Sequence, residues 1–288
     1  MTSPTSETPL ASKFSSSCGR RLDPQDRFCD GCGARQIKDE NPRGHFSELL
    51  KVEGKLALRE PVGLGMGLGL PIGLLILFGF ISSSVPGNVA NTGLSVLDLW
   101  IPTIMVIGFI SLAISSLPVT LVKYRELGWL RRISTTPASP VMLFAAQLTL
   151  NLILAFAMIL IVIFGGEIIF GAPLNVGIPF FVLSIILSIA EIFSLGLVIA
   201  AIAPSQTVAN ALTGVLFFLL LFLSGLWVQP AQVGGTLATI MYYSPSGAAV
   251  RALLYSVFNA TPPLTSIGTM VAYTVIFAFI AIRYFRWE

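Results

Sequence analysis

The chain has 288 residues, 55% of them hydrophobic and 11% charged, with a formal net charge of +3 and a mean hydropathy of +0.85. Soluble domains carry about 25% charged residues, so this composition excludes a soluble globular fold and points to an all-α polytopic membrane protein. The basic residues read as topology determinants and not as a nucleic-acid patch, and three cysteines, all before residue 33, do not make a disulfide framework.

In chain order, residues 1–13 are rich in Ser, Thr and Pro and read as a disordered tail. Residues 14–36 follow as a small cysteine head. Cys29 and Cys32, separated by Asp30 and Gly31 and followed by Gly33, form one zinc-knuckle half, two thiolates on a tight turn. Cys18 with Gly19 supplies the second member of a matching half, but Ser15 stands where its first thiolate belongs. The segment resembles the zinc ribbons at the ends of many bacterial membrane proteins, with one ligand missing. Either Cys18, Cys29 and Cys32 hold zinc with water, His45 or Asp30 completing the tetrahedron, or the ribbon has lost its metal. Residues 44–61 space Phe46, Leu49, Leu50, Val52, Leu56 and Leu58 among charges at helical intervals. That pattern fits an amphipathic helix on the inner membrane surface, with Lys51, Lys55 and Arg59 near the headgroups; an ordinary linker helix is the alternative.

From residue 62 to 288 the chain is a membrane body. A span needs about 20 mostly apolar residues, and six stretches qualify: 62–82, 99–122, 141–164, 179–203, 210–228 and 266–284. The first apolar run is long enough to span, so no cleavable secretory leader is read. The glycines of 63–73 lie in an apolar run without Lys, which favours close helix packing over a nucleotide loop. With the N-terminus in the cytoplasm, ten Lys and Arg precede Pro61, four lie in 123–139 and two, Arg283 and Arg286, lie at the C-terminal end, leaving only Arg251 outside. The positive-inside rule therefore places both termini in the cytoplasm. Between the fifth and sixth spans, 234–243 and 248–258 read as two short helices dipping into the outer leaflet, with Pro230, Pro245, Pro262 and Pro263 as breaks. Arg251 in that segment suits a carboxylate or a lipid phosphate.

Glu191 sits mid-way along the fourth span, where an ionised carboxylate is costly. It is either a contact for a cationic substrate or coupled proton facing a dimer interior, or a carboxyl bonded to a hydroxyl such as Ser115 or Ser116. Gln147, Asn151 and Asn210 read as interhelical hydrogen-bond partners. Phe217, Phe218 and Phe222 suit a lipophilic path or plain packing.

The most telling stretch is Lys123–Pro140, KYRELGWLRRISTTPASP, between the second and third spans. Its charges must emerge into water. Glu126, Arg131 and Arg132 offer charge to a partner, Leu127, Trp129 and Leu130 offer an apolar anchor, and Pro137 and Pro140 turn the chain into the next span. By charge alone the loop is better explained as a simple interface anchor.

With those residues the body resembles a permease of the type-2 ATP-binding-cassette (ABC-2) exporter class, nearest the daunorubicin-type drug exporters. The resemblance covers about Phe46 to the C-terminus. It rests on Leu58-Arg59-Glu60-Pro61 before the first span, Arg125-Glu126-Leu127-Gly128-Trp129-Leu130 with Thr136-Pro137 after the second, and Phe222–Leu226, Pro230 and Tyr243-Ser244-Pro245 later. It implies a non-enzymatic transport subunit of a bacterial inner membrane, paired with a second copy or a sister permease. Separate ATPase subunits would bind the ATP, and no GxxxxGK[ST] loop occurs in this chain. The coupling contacts would be Arg125, Glu126, Gly128, Trp129, Arg131, Arg132, Thr136 and Pro137. The implied cargo is a lipophilic or amphipathic compound, with lipid or polysaccharide export as an alternative. A receptor or scaffold using its cysteine head, and a proton-coupled carrier using Glu191, are the readings outside the exporter class.

Overall fold

The computed structural model describes residues 31–32, 42–59, 63, 65–84, 95–127, 140–172 and 176–284. The chain divides into two units, Met1–His45 and Phe46–Glu288. Among the described residues every regular element is helical.

Helix α1 (Pro42–Arg59) covers the expected amphipathic segment. Its apolar residues Val52, Leu56 and Leu58 stay exposed, while Glu53 is buried, at 4% exposure. Among the described residues six helices are long and apolar enough to cross a membrane, one for each stretch expected from the sequence: α2 (Gly65–Ser84), α3 (Val96–Glu126), α4 (Pro140–Phe170), α5 (Ile178–Ile202), α6 (Gln206–Leu223) and, after the short helices, α10 (Leu264–Tyr284). Between α6 and α10 lie α7 (Pro230–Val233), α8 (Gly235–Tyr243) and α9 (Pro245–Val257). The two longer ones match the helix pair expected there. The Ser244 hydroxyl caps α9 by accepting from the Gly247 amide at 3.1 Å, and Pro245 fills the first helical position, where its missing N–H has no partner to lose.

Helix boundaries shifted where the chain supplies a cap or lacks a stop. Helix α6 begins four residues before expectation because the Ser205 hydroxyl accepts from the Val208 amide at 3.3 Å. Helix α4 runs on through Gly165 and Gly166 to Phe170, ending at Gly171 with φ +64°. Helix α3 opens on a capping box in which Ser95 and Asp98 exchange hydrogen bonds.

Helix α3 is the axis of the bundle. Ile101, Ile104 to Ile107, Phe109, Ile110 and Ile114 are all fully buried, as a helix apolar on every side requires. Mid-way it widens into a π-helical turn, Ser111–Ser116, which frees carbonyls from the regular ladder. Neighbours approach that turn closely. The Thr213 hydroxyl of α6 donates to the Ile114 carbonyl at 3.2 Å. Gly196 of α5 lies so near that a Cβ there would sit 2.2 Å from the Ala113 carbonyl oxygen. On the α2 side, Gly67 faces Leu112, with a Cβ falling 2.6 Å from its Cδ2. Of the glycines in 63–73, only Gly67 packs in this way; Gly63, Gly65, Gly69 and Gly73 face open space within the subunit.

Candidate functional site

At the end of α3 that leads into residues 128–139, two expected coupling residues have partners inside the subunit. The Arg125 guanidinium donates to the Ala203 carbonyl at the end of α5. The Gln206 amide, first in α6, donates to Glu126 Oε1 at 3.0 Å. That N–H has no partner within its own helix, and a carboxylate there also faces the positive end of the helix dipole. Arg125 and Glu126 together grip the α5–α6 turn. Gly128, Trp129, Arg131, Arg132, Thr136 and Pro137 lie outside the described residues.

A second polar centre lies where α1 meets α3 and α4. The Tyr124 hydroxyl is 3.0 Å from both Glu53 carboxylate oxygens and donates to them. The Gln147 side-chain amide donates to Glu53 Oε2. Asn151, one turn further along α4, donates through Nδ2 to the Gln147 carbonyl at 3.0 Å. Its Oδ1 is buried without a hydrogen-bond partner. The cluster borders a cavity of about 180 Å³, walled by residues of α1, α3 and α4 together with Gly63 and Leu127. Sequence reasoning placed Gln147 as an interhelical partner, which it is. It missed Glu53, whose only signal was an acid on the polar face of an amphipathic helix.

Glu191 is fully buried inside the subunit, and neither carboxyl oxygen has a hydrogen-bond partner. The expected hydroxyl contacts from Ser115 or Ser116 are not made, and the side chain presents no surface to a dimer interior. Asn210 is exposed instead of bonded across helices, and Phe217 is buried while Phe218 points outward. At the opposite end of the bundle, the Arg251 guanidinium lies over the rings of Tyr242 and Tyr255, 4.9 and 5.9 Å from their centroids, a cation–π arrangement. The Gly177 amide donates to the Ser256 carbonyl at 3.1 Å, tying α9 to the start of α5.

Of the cysteine head, only Cys32 is described, exposed on a turn; Ser15, Cys18 and Cys29 lie outside the described residues. Among the described residues no three His, Cys, Asp or Glu side chains converge as metal ligands do.

Six apolar helices, a buried central helix and a polar-gripped turn define a multi-pass membrane component. The family model described as ABC-2 type transporter matches residues 45–258, and the chain belongs to that family. No curated protein matches the chain. The family assignment makes it the membrane subunit of a transporter that works with an ATPase partner. The match ends just past α9, so α10 is the one span outside it.

Proposed function

We propose that the chain is the membrane half of an ATP-driven exporter of lipophilic, amphipathic compounds, set in a bacterial inner membrane with both termini in the cytoplasm. Two copies, or this chain and a sister permease, enclose the path. The ATP site belongs to separate subunits, and this chain makes and breaks no covalent bond. The ATPase engages the segment 128–139 through Trp129, Arg131, Arg132, Thr136 and Pro137.

The observation that carries this reading is the grip of Arg125 and Glu126 on the α5–α6 turn. These residues sit at the root of the segment. A push on that segment therefore moves α3, α5 and α6 as one piece, which converts a local contact into rearrangement of three spans. Cys18, Cys29 and Cys32 are proposed to hold zinc in the head, where the metal would organise the turns that carry them.

The test is reconstitution with the cognate ATPase in bilayers. ATP hydrolysis should depend on the permease, rise with lipophilic cations or neutral amphipaths, and fall when Arg131 and Arg132 are both changed to Glu. An ATPase indifferent to the permease would defeat the exporter reading and favour a receptor or scaffold. Stimulation by lipid-linked sugars alone would move the cargo class to lipid or polysaccharide.

A further inference from the structure

We infer that Arg251 holds the headgroup phosphate of a phospholipid at the end of the bundle opposite α1. Depth is the first reason. At the start of α9 the Ser246 hydroxyl donates to the Leu220 carbonyl, in the last turn of α6, at 2.9 Å. Near the end of α9 the Ser256 carbonyl accepts from the Gly177 amide, at the start of α5, at 3.1 Å. Arg251 lies midway between these two anchors, with about 7–8 Å of helix to either one. It therefore stands at the level where two spans end, which is where hydrocarbon gives way to headgroups. Charge is the second reason. Among the described residues Arg251 is the only Lys or Arg at that end, and no oxygen accepts from it. Of the acids there, Asp98 accepts from the Ser95 amide and hydroxyl, and Glu167 is exposed on the last turn of α4 without reaching Arg251. A charge at the edge of a bilayer calls for a counterion.

The guanidinium is both reachable and held. Its side chain is half-buried and lies over Tyr242 from α8 and Tyr255 from α9, so both arms of the hairpin fix its place before an anion arrives. Ring faces offset part of its charge but give its five N–H donors no oxygen. A planar fork of donors matches a phosphate bidentately. The surroundings assign that phosphate to a lipid. Ile240, Tyr243 and Phe258 on the same hairpin are exposed, and an acyl chain can lie against them while the phosphate meets Arg251. Tyrosine at this level is also the residue type that marks the headgroup zone. The inference stands apart from the export reading, since retaining a lipid needs no ATPase.

The experiment counts lipids retained by the purified, delipidated full chain in native mass spectrometry. Phosphatidylglycerol and a monoglucosyl diacylglycerol of identical acyl chains are titrated separately, so that the two differ in the phosphate. Wild type is compared with Arg251→Gln, because basic residues at the other end of the bundle retain phosphatidylglycerol equally in both. Wild type should hold one more phosphatidylglycerol per chain, and the variant should need about tenfold more lipid to reach the same count, the factor that a hydrogen bond between charged groups supplies. Retention of the glucosyl lipid should be the same in both. Arg251→Lys keeps the charge without the fork and should need about threefold more phosphatidylglycerol than wild type. An equal phosphatidylglycerol count in wild type and Arg251→Gln, or an equal loss of both lipids in the variant, would overturn the inference. Displacement of the extra lipid by millimolar inorganic phosphate would also overturn it, in favour of a site for free anions. So would loss of a dimer in both Arg251→Gln and Glu167→Gln at an unchanged lipid count, which would give the guanidinium to a carboxylate of a second copy. If Arg251→Gln does not fold, wild-type retention by Arg251→Lys overturns the inference.

Discussion

Replacing Gly196 by Ala tests the packing at the centre of the bundle. The added Cβ would lie 2.2 Å from the Ala113 carbonyl oxygen and 3.0 Å from its carbon, whereas real Cβ contacts essentially never fall under 3.0 Å. The obstacle is backbone in a π turn, so no side chain can rotate away, and α5 must retreat from α3 by about 1 Å. Overpacking of this kind costs about 1–3 kcal/mol, with a backbone obstacle at the upper end. Ala offsets about 1 kcal/mol of that through its better helix propensity. The net loss is about 2 kcal/mol, which lowers the melting temperature of a chain this size by roughly 5 °C. Thermal unfolding of the purified chain, followed by tryptophan fluorescence, reads the shift. Gly73→Ala is the control, since a Cβ there meets nothing within 4 Å and carries the propensity gain without the clash. It should melt at or above the wild-type temperature. Equal melting of the two variants would refute a backbone-to-backbone contact between α3 and α5.

Other perturbations separate the remaining polar features. Tyr124→Phe removes the hydroxyl that donates to Glu53 and should destabilise by about 2 kcal/mol, the worth of a hydrogen bond to a charged group; a chemical unfolding curve superimposable on wild type would dismiss the cluster as energetically idle. Glu126→Gln weakens the acceptor for the Gln206 amide, so hydrogen exchange at residues 206–208 should speed up about fivefold, and unchanged protection there would break the link to the α5–α6 turn. Glu191→Met exchanges a buried, unpartnered carboxyl for an apolar chain of similar length and should raise stability by about 1–2 kcal/mol. A loss of more than 1 kcal/mol would mean that the carboxyl is bonded after all. Zinc content of the purified protein should fall in Cys29→Ser, and an absence of zinc in the wild type would end the metal reading of the head.

The spans were legible because length and hydropathy are summed over twenty residues, and a sum tolerates local error. Their ends were less so. Ser205 reads as loop until its hydroxyl is seen to cap α6, and Gly165-Gly166 reads as a stop until the helix is seen to continue. The π turn at Ser111–Ser116 had no sequence mark, since widening is decided by what Gly196 and Thr213 bring to it from other helices. Glu191 stood out as an acid in hydrocarbon. Its proposed hydroxyl partners did not, because which face of α3 meets α5 cannot be read from either helix alone. Glu53 was hidden for the opposite reason. It is one acid among the charges of an amphipathic segment, yet in the folded chain it turns inward and Val52, Leu56 and Leu58 stay outside.

The burial of α3 on every side has a consequence for how this chain can diversify. A helix that touches neither lipid, cargo nor a second subunit along its middle is constrained only by its own neighbours. A saturation library should then reject nearly every change from Ile101 to Ile114, while Val275, Phe279 and Ile282 on exposed faces of α10 accept any apolar residue. New cargo preferences would arise on the surrounding helices, around an axis that selection holds still.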